Sequence, residues 1–245
     1  MKKNIFDISN KTILVTGASS GIGREIVYYL NSQNANIIVT GRDQEKLNNT
    51  LSNVDEHNII YSKAFDLNND EELDQFISEI PKVDGVVFCA GIAEYVPIKL
   101  LNKNKLQKTL DINFISQTQL TRLLIKAKKI NSNGSLVYIS SLSSQQGVSA
   151  TASYAASKAA LNAFMRVTAS ELAPQGIRAN SLCPGIIKTP MGEMVTELNP
   201  EIEKEYPLGL GNPSDIANTC IFFLSDGSKW ITGSELVIDG GLTLK

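Results

Sequence analysis

The sequence predicts a single α/β domain, residues 1–245, built on a doubly wound parallel sheet with helices on both faces. Three observations carry this. Short apolar runs rich in Val and Ile alternate with helical patterns along the whole chain. The first run ends in a glycine-rich loop, TGASSGIG at 16–23, where a helix begins. No linker, repeat or low-complexity stretch breaks the alternation. Strands joined by crossover helices must lie parallel, buried on both faces.

The elements follow in order. TILVTG (12–17) is a strand of β-branched residues ending at glycine, and GREIVYYLNSQ places Ile26, Val27 and Leu30 at helical spacing. NIIVTG (36–41) is the second strand, followed by the polar helix DQEKLNNTLS with Asp43 as its N-cap. IIYSKAFD (59–66) is the third strand, and Pro81 ends the helix DEELDQFISEI. VDGVVFCAG (83–91) is the fourth. A helical region over 102–130 is expected to split or bend near Asp111. GSLVYISS (134–141) is the fifth strand, SYAASKAALNAFMRVTASELA (153–173) a long helix, and IRANSLCPG (177–185) the sixth strand. Residues 188–212 read as a variable polar segment, SDIANTCIFFLSD as the last helix and SELVIDGG (234–241) as the seventh strand.

Composition narrows the function. The net charge of −2, with no acidic or basic block, gives no support to a nucleic acid or a membrane surface as partner. No apolar run reaches the ~20 residues of a membrane span. The opening MKKNIFDISNK has two lysines without an apolar segment behind them, unlike a signal peptide. Cys89, Cys183 and Cys220 sit far apart inside apolar runs and read as buried free thiols of a reducing cytoplasm. With one histidine, His57, metal chemistry is not expected.

In the glycine loop, Gly17 permits the turn out of the strand. Gly21 and Gly23 clear side chains from the helix start, so that backbone N–H groups can approach a pyrophosphate. Ser19 and Ser20 add hydroxyl donors, and Ile22 completes the loop. This is a nucleotide-binding, Rossmann-type context, with ligands expected at the carboxyl ends of the strands. At the end of strand two, Gly41 stands where an acid would hold ribose hydroxyls, and Arg42 follows with a guanidinium suited to phosphate. NADP(H) is favoured over NAD(H).

Later in the chain, YAASK sets Tyr154 and Lys158 at i and i+4, neighbours on one helix face. A positive charge beside a phenol favours phenolate. Reducing a ketone needs a hydride on carbon and a proton on oxygen, and Tyr154 fits as the proton donor with Lys158 as the charge that tunes it.

Taken together, TGASSGIG, CAG (89–91), DIN (111–113), ISS (139–141), YAASK, CPG (183–185) and the tail WITGSELVIDGG resemble, in order and over nearly the whole chain, the short-chain dehydrogenase/reductase family in its compact form. The resemblance implies further roles. Ser141 would hydrogen-bond the substrate oxygen, with Ser140 the adjacent competitor, since neighbouring strand residues face opposite ways. Asn113 would bend its helix and hold a water linking the lysine to solvent. Lys158 would also bind the nicotinamide ribose. Asp66, with Leu67 beside it, would contact adenine, although Asp66 also suits a turn before NNDEEL. Ala90 and Gly91 would keep the backbone slim against the cofactor, with Cys89 where the family commonly carries asparagine. Pro184, Gly185, Ile187 and Thr189 would wrap the nicotinamide.

The loops after strands four, five and six should set the substrate, a small carbonyl or alcohol. Tyr95, Val96, Gln145, Val148, Met191 and Met194 are the candidates to line it. The nearest relatives in layout, 3-oxoacyl-carrier-protein reductases, offer a basic residue near the end of the long helix. Gln175 stands in that region, which argues against a carrier protein, while Lys126, Lys128 and Lys129 offer an alternative. The resemblance implies a homotetramer or homodimer. A catalytically silent NADP(H)-binding sensor or scaffold is the alternative function, opposed by Asn113, Ser141, Tyr154 and Lys158 all being present.

Overall fold

A computed structural model describes residues 4–244; Met1–Lys3, including the two opening lysines weighed above, and Lys245 lie outside the described residues. Seven strands form one parallel sheet: β1 (Thr12–Thr16), β2 (Asn36–Gly41), β3 (Ile59–Ala64), β4 (Val83–Phe88), β5 (Ile130–Ile139), β6 (Arg178–Pro184) and β7 (Glu235–Ile238). Their order is β3-β2-β1-β4-β5-β6-β7, so the winding reverses between β1 and β4. That reversal opens a crevice beyond the carboxyl ends of the central strands.

Alternation along the strands builds two cores. Leu14, Ile38, Val86, Leu136 and Tyr138 face one side, against α3 (Asp70–Glu79), α5 (Ser116–Lys126) and α6 (Ala152–Leu172). Ile13, Val15, Ile37, Val39 and Val137 face the other, against α1 (Gly21–Ser32) and α8 (Pro213–Leu224), with Leu47 of α2 (Gln44–Leu51). Phe88 and Tyr138 stack at 4.3 Å across adjacent strands, and the Tyr138 hydroxyl shares a hydrogen bond with Thr121 Oγ1 at 3.0 Å. The seven strands and their crossover helices are those expected from the sequence. Asp43 caps α2 as expected, its carboxylate accepting from the Lys46 N–H at 3.0 Å.

The expected bend near Asp111 is a π-turn, Asp111–Ile115, between α4 (Lys103–Leu110) and α5. It inserts one residue into the helical register, the usual form of such a bulge. Several strands end a few residues before the expected limit, β4 at Phe88 among them, and two departures are larger. Strand β5 begins at Ile130, four residues before the expected start, because Asn133 takes a left-handed φ of 63° and lets the chain bulge against β4. Residues 188–212 are not simply a polar loop. Thr189 caps and Pro190 opens a helix, α7 (Pro190–Leu198), followed by a 3₁₀ turn over Pro200–Glu205. The segment is pinned where Ile187 bridges Gly211 and where the buried Tyr206 hydroxyl accepts from the Ile186 N–H at 3.0 Å.

Phe223, buried between α8 and the sheet, tests the second core. Phe223→Ala should cost about 3–5 kcal/mol, read as a lower urea midpoint with an unchanged slope.

Candidate active site

A cleft of about 1090 Å³ lies at the carboxyl ends of the strands. It runs from Arg42 and Asp66 at one end to Ser141, Tyr154 and Met191 at the other, and its size suits a large ligand.

The glycine loop forms its central wall. Gly17 has φ +66°, and a Cβ there would lie 2.8 Å from the Ala90 backbone; at Gly23 it would lie 2.2 Å from the Gly17 carbonyl oxygen. The loop therefore packs directly on the end of β4 and on the first turn of α1. Two side chains that sequence reading missed brace it from behind. Arg24 donates to the Ser19 carbonyl at 2.7 Å, and the Thr50 hydroxyl donates to the Ala18 carbonyl at 3.1 Å. Thr50 reaches the loop from another helix, and Arg24 reaches back to it from the first turn of α1 at a spacing that carries no signal in the sequence.

The residues present fit a nicotinamide dinucleotide. The helix α1 N-terminus opens toward the cleft with no side-chain cap from Ser20, leaving N–H groups for a pyrophosphate. The Thr40 hydroxyl, buried in the wall, has no protein partner. Gly41 and Arg42 line the far end together with Lys46, a cation missed by the sequence reading although it sits on the first turn of α2. Asp66 makes the turn that its alternative reading expected: its carboxylate accepts from the Asn68 N–H at 2.9 Å and amide at 3.1 Å, while Asp66 and Leu67 both line the cleft. Ser19, Ser20, Gly21, Ile22, Ala90, Gly91, Pro184, Gly185, Ile187 and Thr189 line it too. The Thr189 hydroxyl is engaged by the Gly192 N–H and the Ile187 carbonyl, and the Ile187 side chain is buried in the core, which leaves its backbone to face a ligand.

At the other end four side chains converge. Helix α6 carries Tyr154 and Lys158 one turn apart, and Lys158 Nζ lies 5.8 Å from the Tyr154 ring centre. Only 5% exposed, Lys158 donates to the Ile139 carbonyl at 2.7 Å. Ser141 lines the cleft with Tyr154, whereas Ser140 turns its hydroxyl to the Lys158 carbonyl at 3.3 Å. Asn113 sits in the π-turn. Its Oδ1 accepts from the Ile92 N–H at 2.8 Å, and its Nδ2 donates to the Ile92 carbonyl at 2.9 Å and to Ser157 Oγ at 3.1 Å. The side chain is thus fully engaged in tying the helix to the end of β4.

The electrostatics differ from the sequence expectation. Lys158 was expected to pull the phenol toward neutrality. In the protein's own surroundings burial pushes Tyr154 up to about 12, and the nearby Ser141 hydroxyl offsets only part of that. Burial also pushes Lys158 down to about 8, opposed by the nearby Cys89 and Cys183. The ammonium is bound to a backbone carbonyl and not to the phenol oxygen, and its charge is not among the causes that move the phenol. Cys89 itself is raised to about 12 by burial and is an inert thiol at neutral pH.

Of the expected substrate-end residues, Tyr95, Val148 and Met191 line the cleft; Gln145, Val96 and Met194 do not. Gln145 turns away to Glu235, donating to its carboxylate at 3.0 Å, and its neighbour Gln146 faces the cleft instead. Val96 is buried, and the exposed Met194 lies on the outer side of α7, with Val195 facing in. Tyr206 and Leu242, from the pinned segment and the C-terminal turn, complete the lining.

Among the described residues no group of His, Cys, Asp and Glu side chains is placed to hold a metal, and no helix is long and apolar enough to cross a membrane. The chain matches a family model described as enoyl-(acyl carrier protein) reductase over residues 17–243. It is 35% identical over 242 residues to a 3-oxoacyl-[acyl-carrier-protein] reductase of Rickettsia felis, covering 98% of this chain and 100% of that one. It is 27% identical to an NAD-dependent glycerol dehydrogenase of Listeria innocua, over 98% of this chain and 96% of that one. Among solved structures, a short-chain dehydrogenase/reductase from Brucella melitensis, of the glucose/ribitol dehydrogenase kind, superposes with a TM-score of 0.91 at 27% identity, covering 99% of this chain and 100% of that chain.

The buried lysine makes a pH prediction. Its folded value, about 8, lies below its ordinary 10.5, so below pH 8 both folded and unfolded chains carry the charge and the burial cost is fully present. Between those values only the unfolded chain stays protonated, and stability from this group rises with pH. Lys158→Met should therefore be more stable than the wild type at pH 7, with the advantage shrinking toward pH 10.5, as measured by thermal unfolding across that range.

Proposed function

The chain belongs to the short-chain dehydrogenase/reductase family, an NAD(P)-dependent oxidoreductase family, and from that premise we propose that it is an NADPH-dependent carbonyl reductase that interconverts a ketone and a secondary alcohol. The observation that carries this is the convergence of Ser141, Tyr154 and the buried Lys158 in one cleft, at the carboxyl end of the sheet and next to a braced glycine loop.

A reduced nicotinamide, when bound, supplies the hydride that the carbonyl carbon accepts. The protein's part is the proton. Tyr154 donates its phenolic proton to the carbonyl oxygen, and the Ser141 hydroxyl holds that oxygen by a second hydrogen bond. With its value near 12 the phenol is protonated at neutral pH, which suits the direction of reduction. As phenolate forms, the Lys158 ammonium stabilises it. With a value near 8, Lys158 is still largely charged at pH 7 and is close enough to titration to return a proton. Asn113 holds the π-turn and the start of the β4–α4 loop in place around that ammonium.

NADPH is favoured over NADH by the charges at the end of β2. Arg42 and Lys46 line that end, Gly41 places no acid at the end of the strand, and the Asp43 carboxylate, which also borders the cleft, caps α2 and pairs with Lys46 at 3.5 Å. A 2′-phosphate would meet the Arg42 guanidinium, at this end the cation without a carboxylate partner among the described residues.

The substrate on this reading is a small carbonyl compound. Gln175 ends the turn after α6, and the Lys129 ammonium is engaged by the Ser78 and Ile80 carbonyls, so these positions offer little to an acidic carrier. A second reading, a 3-oxoacyl chain presented on an acyl carrier protein, is favoured by the full-length identity with the Rickettsia relative. Comparing a free 3-oxoacyl thioester with its carrier-loaded form separates the two. We also propose a homotetramer or homodimer, supported by the outer edge of β7 and the 96% exposed Trp230 beside it, and a reducing cytoplasm, supported by three unpaired cysteines.

Two variants test the reading. Tyr154→Phe should bind NADPH as the wild type does and lose most turnover; full activity would remove the acid role. Arg42→Ala should raise the KM for NADPH about tenfold, the scale of one lost charge-assisted bond, and leave that for NADH nearly unchanged in steady-state assays.

A further inference from the structure

The wall of the cleft opposite Lys158 is the backbone Cys89–Ala90–Gly91, just beyond β4. A Cβ at Gly91 would come within 3.5 Å of Lys158 Nζ, and a Cβ at Gly17 within 2.8 Å of Ala90. A shift of this short stretch would therefore reach both the glycine loop and the catalytic lysine. Its own side chains give it no anchor: Ala and Gly have no polar group, and the Cys89 thiol is a weak donor. The anchors come from elsewhere. Thr16 Oγ1 accepts from the N–H of Cys89 at 3.0 Å and of Ala90 at 3.1 Å. The Ala90 carbonyl accepts from Gln117 Nε2 at 2.8 Å.

Gln117 is buried in the first turn of α5, directly after the π-turn. It follows Asn113 by four positions, and both amides reach the same stretch of backbone, Asn113 at Ile92 and Gln117 at Ala90. Its other amide atom, Oε1, is buried with no hydrogen-bond partner. A buried amide that leaves its acceptor unsatisfied costs stability, so the group is retained for its donor.

We propose that Gln117 is a positioning residue for the nucleotide site, holding the Ala90 carbonyl from helix α5 and so fixing the Ala90–Gly91 wall of the cleft. This rests on the reading of the cleft as a nicotinamide dinucleotide site.

Gln117→Met keeps the length of the side chain and removes both amide ends, including the unsatisfied one. Hydrogen–deuterium exchange of the protein without nucleotide should show faster exchange in a peptide spanning 88–92, with the β6 peptide unchanged. The Kd for NADPH, followed by its fluorescence, should weaken about tenfold, the scale of one buried hydrogen bond. Wild-type exchange at 88–92 together with wild-type affinity in Gln117→Met overturns the proposal. If Gln117→Met does not fold, Gln117→Leu, which also lacks the amide N–H, decides by the same two readouts: faster exchange at 88–92 with weakened affinity supports the proposal, and wild-type values for both overturn it. A wild-type protein that binds neither NADPH nor NADH would instead overturn the reading of the cleft, and the exchange comparison would still decide the role of Gln117.

Discussion

A single ammonium group, held out of water beneath the cleft, organises the structure around it. Lys158 Nζ gives one hydrogen bond to the Ile139 carbonyl at the end of β5, and few other polar partners are close. Keeping a cation in such a place needs a rigid enclosure, because any loosening would let water in and remove the constraint on its position. The enclosure is built from three directions: the end of β5, the slim Ala90–Gly91 backbone, and the π-turn with Asn113 and Ser157 tied together. Ala90–Gly91 and the π-turn lie in the β4–β5 connection and Ser157 in the β5–β6 connection, so the floor of the cleft is assembled only when the central strands are in register.

Much of this was legible in the sequence where the physics is local. β-branched runs ending at glycine marked the strands, and β2 spans the residues expected. Asp43 caps α2 because a carboxylate before a polar helix has one obvious use. What escaped was set by distant partners. Gln145 and Gln146 are equivalent by sequence, and Glu235, far along the chain on β7, decides which of them turns out of the cleft. Arg24, Thr50 and Gln117 each bind a backbone carbonyl across a gap that no pattern reveals. The early start of β5 depends on an asparagine in the left-handed region, where a polar NSNG stretch looks like a loop.

The catalytic end shows the limit in another form. Helical spacing made Tyr154 and Lys158 neighbours, and neighbours they are. Spacing says nothing about how much water each loses, and here desolvation outweighs their mutual influence, moving the phenol up and the amine down. The outcome is a phenol that keeps its proton at neutral pH and an amine close to release. The 188–212 segment, in contrast, is fixed at its base by Ile187, Gly211 and Tyr206 while α7 carries Met191 and Val195 over the opening. The Tyr154–Lys158 pair and the side chains over the opening thus belong to separate pieces of chain.

The π-turn at Asp111–Ile115 makes the helix it interrupts less regular than it would be without it. Losing one residue there would let α4 and α5 fuse into an uninterrupted α-helix with better internal bonding, yet everything downstream would rotate by about 100°. Leu120 and Leu124 would leave the sheet, and the amide at 117 would point elsewhere. The bulge therefore works as a phase setting: a local defect that natural selection must preserve against the chain's own tendency to repair it.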